Sequence, residues 1–256
     1  MPPFAEPYEL VTYAQQPAPE EDVVRIVHEG WPPFMLFDPL ADKYWTRMEA
    51  YFPQYQFVLY DDDMNLIAVC NSTPVIWDGN PDTLPPEGWD WAMESGVTGY
   101  EAGTTPNTLC AISITIARPY LGKGVSPHAV KGLQQIARDN GLSHLIAPVR
   151  PSLKSLYPLT PMERYIQWKT DEGLPFDPWM RVHQRAGAQI VKVCPKAMCI
   201  PGSIDQWEDW AGLRFPESGL YVVPKALNPV EINLEADRGC YIEPNVWMVH
   251  DLAVGS

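Results

Sequence analysis

The chain has 256 residues, 46% of them hydrophobic and 20% charged, an ordinary globular composition whose core needs no disulfide or metal staple. A formal charge of −14 argues against general nucleic-acid binding and against docking on an anionic membrane surface. Five scattered cysteines give no disulfide framework, and Cys194 and Cys199 have no second Cys or His cluster at zinc-ligand spacing.

The N-terminal MPPFAEPYEL lacks the basic and apolar regions of a signal peptide, and no apolar run approaches the ~20 residues of a bilayer span. A cytoplasmic protein is expected. Tyr8–Tyr13 reads as a short strand, Glu20–Glu29 as a helix with acids in its first turn, and Leu40–Phe52 as a second helix closed by Pro53. Phe57–Tyr60 and Leu66–Val69 form a hairpin around Asp61–Asn65, the second strand running on toward Ile76. The three aspartates of that turn lack the spacing and glycine of a calcium loop. Asp78–Asn107 reads as a long loop with a helical turn near Trp89–Met93.

Leu109–Ile116 is then a strand and Pro127–Asn140 a helix, with Ser126 expected as its N-cap and Pro127 at its first position. Between them lies LGKGVS, Leu121–Ser126. A Gly-rich turn between a strand and a helix N-terminus collects backbone N–H groups and the positive end of a helix dipole, which suits a phosphate. Arg118, Lys123, Lys131, Arg138, Arg150 and Lys154 make this stretch locally basic, against Asp139 alone. Leu142–Val149 completes a β-α-β unit. Pro151–Asp177 is a second insertion with a helix expected around Pro161–Thr170. Pro178–Ala186 reads as a helix. Gln189–Val193, Ala197–Ile200, Tyr221–Val223, Val230–Leu234 and Val246–Val249 read as strands, with a Trp-rich turn at Trp207 and Trp210. The chain carries neither a G-x-S-x-G elbow nor an H-E-x-x-H helix.

The order strand, two helices, hairpin, long strand, Gly loop, helix, strand, helix and further strands resembles the GNAT acyltransferase superfamily. Its members show Arg or Gln, two residues, Gly, one residue, then Gly or Ala; here Leu121, Gly122, Lys123, Gly124, Val125 and Ser126 stand there, with Leu121 and Ser126 as departures. The run from His183 to Ala188 is similar to the family's Tyr, three residues, Gly and an apolar residue. The resemblance implies one domain over 1–256, a core over about 8–200 and a strand-rich extension over 203–256 packed on it. It implies a mixed α/β fold: a mostly antiparallel central sheet, splayed at the CoA site and flanked by helices on both faces.

It further implies acetyl-CoA or another acyl-CoA as co-substrate and a small-molecule amine acceptor, with no nucleic acid and no membrane. Residues 121–126 would hold the pyrophosphate, joined by Arg150, and the backbone of Ile114 and Ile116 would pair with the pantetheine arm. His183 or Tyr157 would protonate the departing thiolate, and Glu101 would act as base. Trp89, Trp91, Trp168 and Trp179 would line an enlarged pocket; Cys110 reads as core. A non-catalytic module binding acyl-CoA or an acyl carrier protein is the alternative. Homodimerisation, an acyl-carrier-protein partner and the acceptor's identity stay open.

Overall fold

The computed structural model describes residues 8–252. Its centre is one nine-stranded sheet in the order β1-β2-β3-β4-β5-β9-β8-β7, with β6 paired along the opposite edge of β9. β1 (Glu9–Thr12), β2 (Phe57–Tyr60), β3 (Leu66–Val75) and β4 (Thr108–Ile116) form an antiparallel run, and β4 meets β5 (His144–Val149) in parallel. β9 (Arg238–Asp251) then pairs antiparallel with both β5 and β6 (Gln189–Gly202). The segment expected as an outlying extension therefore supplies an inner strand. The separate strands expected at 189–193 and 197–200 are one strand, bulged between Cys194 and Met198 around Pro195.

Side-chain alternation along β2 shows how the faces are covered. Val58 and Tyr60 pack with Ile26 of α1 (Glu20–Gly30), whereas Phe57 on the other face touches Gly132 of α4 (Val125–Asp139). α2 (Pro39–Tyr51) shares the α1 face. So does α3 (Gly88–Glu101), the element expected as a loop with a single helical turn. Asp38 starts α2 by accepting the N–H groups of Leu40 and Ala41. α3 is held close to the sheet because Gly96 leaves no side chain to strike Thr73.

On the opposite face α4 buries Val125, Ala129, Val130, Leu133, Ile136 and Ala137. Next to it runs α6 (Pro178–Arg185), capped by Asp177. The helix expected over 161–170 is only the short α5 (Met162–Tyr165). The Trp-rich stretch is helix α7 (Ile204–Ala211), started by a capping box of Ser203 and Gln206. β7 (Gly219–Tyr221) and β8 (Val230–Asn233) finish one sheet edge. Among the described residues no helix is long and apolar enough to cross a membrane.

Candidate active site

The site follows from a break in the sheet. β4 pairs with β5 only through Thr108, Leu109 and Cys110, although β4 continues to Ile116 and β5 to Val149. Beyond Cys110 the two strands diverge and leave a gap. On its other side β4 stays paired with β3, with a bulge that places Ile112 between the matched pairs Ser72–Ala111 and Asn71–Ser113. The indole Nε1 of Trp89 donates to the Ile112 carbonyl at 2.9 Å and holds the bulge from the α3 side. Ala117 donates its N–H to Ile67, so in the antiparallel alternation Thr115 and Ser113 also face β3. Ile114 and Ile116 consequently turn their backbone groups to the unpaired edge, into the gap.

The Gly loop closes the open end of this gap. Gly122 and Gly124 adopt φ of +75° and +82°, and Gly124, not Ser126, is the helix N-cap. A side chain would resist that left-handed backbone, so glycine is required there for conformation, since a Cβ would meet only open space. Among the described residues the N–H groups of Gly122, Gly124, Val125 and Ser126 have no protein acceptor, whereas those of Leu121 and Lys123 are bonded within the turn. Val125 is buried and anchors the loop; Leu121 and Lys123 are exposed, the ammonium of Lys123 lying 5.2 Å over the Tyr120 ring. The Tyr120 hydroxyl donates to Asp61, tying the loop to the β2–β3 turn; this bond and those from Asn65 draw the Asp61 carboxyl down to about 2.

The basic residues flanking the loop are less available than the sequence suggests. Arg150 directs Nε to both carboxylate oxygens of Glu243, at 3.0 and 2.9 Å, and Nη2 to the Lys225 carbonyl. Glu243 is fully buried, and its carboxylate needs that guanidinium more than a cofactor phosphate does. Lys154, also fully buried, donates to the carbonyls of Tyr157 and Leu227, and burial pushes its ammonium down to about 8. Arg118 pairs with Glu29.

The fold of this arrangement is shared. The loading GNATL domain of CurA from Lyngbya majuscula superposes with a TM-score of 0.60 over 96% of this chain and 98% of that chain, at 19% identity. The GphF GNAT-like decarboxylase, in a complex with isobutyryl-CoA, gives a TM-score of 0.53 over 96% and 98%, at 12% identity. No family model matches the chain. The arginine N-acetyltransferase avaD of Aspergillus versicolor is 32% identical over 275 residues, 96% of this chain and 94% of that protein. The chain belongs to the GNAT superfamily.

The chain is an acyltransferase rather than a passive binder, and the splayed β4–β5 pair and the Gly loop stand where the resemblance expects the acyl donor. Other expected GNAT positions fall elsewhere. His183 is buried on α6, its Nδ1 3.1 Å from Nε2 of His250, whose Nδ1 lies 3.0 Å from Gln134. His250 is matched with Leu145, where β4 and β5 are still paired, so His183 stands at the closed end of the gap. Burial, helped by His250, holds the His183 imidazole down to about 3. It is neutral near pH 7 and lacks the imidazolium proton that a general acid donates.

Glu101 ends α3, about 20 Å along the axis from Gly88 at the gap, and is occupied by Arg47 and the Tyr51 hydroxyl. Tyr157 fares better: it follows the β5 exit, its ring packs on Tyr165, Trp168 and Phe176, and its hydroxyl has no hydrogen-bond partner among the described residues. The four tryptophans share no single pocket: Trp89 and Trp91 lie on α3, Trp168 packs on Tyr157, and Trp179 stacks edge-on to His183.

Sequence reasoning missed a buried cluster of polar side chains, here called the polar chamber, on the α3 face of the gap. Along β9, Tyr241, Glu243, Asn245 and Trp247 alternate onto that face. Asn245 donates to the carbonyl of Pro148 on β5, and the Tyr241 hydroxyl donates to Glu243. Asp90 of α3 accepts the Cys199 N–H on β6, and Asp38 enters from the α1–α2 connection, which packs Phe34 on Tyr241. Burial, reinforced by Asp38 and Glu243, pushes the Asp90 carboxyl up to about 8; burial, with Asp42 and Glu243, pushes Asp38 up to about 6. Trp31, Trp45 and Trp89 form a triangle on the same face of the sheet, each centroid 6.4 Å from the next. In the sequence these acids are far apart, and Asp38-Pro39 signals only a helix cap.

Proposed function

We propose that this GNAT member transfers an acetyl or other short acyl group from acyl-CoA to the primary amine of a small basic molecule, with arginine as the first acceptor to test. The carrying observation is the opened β4–β5 edge ending in a loop with four N–H groups that have no acceptor among the described residues. Those donors fit a pyrophosphate without a cationic side chain, because aligned backbone N–H groups at a helix start already favour an anion. The basic acceptor is supported by the relative that bears the name arginine N-acetyltransferase.

Bound acyl-CoA supplies an activated thioester and a thiolate leaving group. The chain's part is to position and polarise. Backbone groups of Ile114 and Ile116 hold the pantetheine arm as an added strand, and N–H groups released by the Ile112 bulge bind the carbonyl oxygen as charge develops. The neutral amine attacks the carbonyl carbon, the C–N bond forms, the C–S bond breaks, and the electron pair leaves on sulfur. The amine's surplus proton is lost to solvent or a carboxylate, and the free Tyr157 hydroxyl protonates the thiolate.

Free-thiol release from acetyl-CoA, assayed with arginine and other small amines, tests the reading. Turnover with a basic amine is expected. Binding of CoA without thiol release for any amine overturns it.

A further inference from the structure

Several buried polar atoms in the chamber lack partners. Among the described residues Asp38 Oδ2, Asp90 Oδ1 and Asn245 Oδ1 are buried side-chain oxygens that meet no donor, and the three residues are 0, 7 and 2% exposed. Native interiors rarely leave such atoms unmet, because each costs about 1–3 kcal/mol. These three are acceptors and cluster where Glu243 has already taken Arg150. Among the described residues no cation forms an ion pair with Asp38 or Asp90.

A ligand that satisfies several separate oxygen acceptors and their charge must be rich in N–H donors and positive. A guanidinium offers five donors in a planar fork, whereas an ammonium is a compact point charge.

We infer that the Asp38–Asp90–Asn245 chamber, walled by the Arg150–Glu243 pair, is the binding site for the guanidinium end of the acceptor, selecting it by charge and by donor count. The inference rests on the acyl-transfer reading for its purpose, and the chamber lies on the α3 face whereas the Gly loop belongs to α4. A guanidinium held at Asp38 and Asp90 leaves an amine at the other end of the same molecule to face the bulge on β4. Asp38 and Asp90 are specificity-determining residues here, separate from the bond-making step.

The experiment compares arginine with citrulline, whose uncharged urea replaces the guanidinium while the α-amine stays the same, in the wild-type chain and in Asp90→Asn and Asp38→Asn. Both variants keep size, and Asn at 38 still caps α2. Wild type is expected to prefer arginine by about 100-fold or more in kcat/KM, since a site built for a charged donor array rejects the analogue that lacks it. Each variant is expected to raise the KM for arginine at least about tenfold, with kcat, citrulline kinetics and CoA affinity little changed, so that discrimination collapses.

Calorimetric titration of arginine without acyl-CoA separates the two readings. Aspartate-dependent arginine binding with no thiol release keeps the chamber and removes the transferase reading. Thiol release with equal use of arginine and citrulline, or discrimination unchanged in both variants, overturns the chamber. A loss of CoA affinity in both variants alongside the loss of arginine binding assigns the aspartates a structural role and likewise overturns it.

Discussion

Gly124 shows how one residue without a side chain determines a binding site. Its φ of +82° sets the left-handed turn from which α4 starts, and nothing crowds its Cα. Gly124→Ala is therefore expected to cost about 1 kcal/mol through backbone strain alone and to raise the KM for acetyl-CoA roughly tenfold. Thermal melting and donor saturation curves check the pair. Tyr157→Phe deletes a hydroxyl that bonds nothing in the protein, so it should leave stability within about 0.5 kcal/mol while lowering kcat about 10²-fold; unchanged turnover removes the acid assignment. Arg150→Met strands the buried Glu243 carboxylate and should destabilise by about 3–5 kcal/mol, with Glu243→Gln on top restoring part of the loss. In sequence, Arg150 and Gly124 looked equally apt for a phosphate. Only the glycine's role rests on local backbone, which a sequence displays; the arginine's depends on Glu243, far along the chain.

At the level of elements, the regular ones were legible and the compromised ones were not. α1, α2, α4 and the β2–β3 hairpin carry clear periodicity and stops, and they fold where the pattern puts them. α3 was hidden by Gly88, Gly96 and Gly99, which read as breakers. Gly96 is there for packing: a Cβ would stand 2.0 Å from Thr73 Oγ1. Gly96→Ala should push α3 off β3, costing about 1–3 kcal/mol and lowering activity together with the melting temperature. β6 and β9 were fragmented because Pro195 and Pro244 interrupt them, and β9 also places Glu243 and Asn245 on a buried face where a strand pattern expects apolar residues. α7 had a visible signal in Ser203 and Gln206, the two ends of its capping box. The acidic chamber had none, because its members come from α2, α3, β6 and β9 and meet only in three dimensions.

Taken whole, the molecule holds two titrating interiors of opposite sense on opposite faces of one sheet. His183 and His250 have imidazoles drawn down by burial to about 3 and about 4, below the ~6.5 of an unfolded chain. Their contribution is complete above pH ~6.5 and is lost as the pH falls toward those values, because the unfolded chain then takes up the protons. Asp38 is raised to about 6 by burial, Asp42 and Glu243, and Asp90 to about 8 by burial, Asp38, Glu243 and Glu87. Their contribution is complete below the unfolded ~3.9 and fades as pH rises through 6 and 8.

Melting temperature of the ligand-free chain should thus peak at mildly acidic pH and decline to pH 8, Asp90→Asn flattening the alkaline arm. A further consequence belongs to synthesis. The wall of the gap formed by β5 takes its partner from β9, Leu145 being matched with His250. A ribosome delivers β1 through β5 long before β9, so the nascent chain carries an uncovered apolar strand edge until β9 emerges. Such long-range pairing is slow and aggregation-exposed. The gap between β4 and β5 is consequently walled only once β9 has emerged and paired with β5.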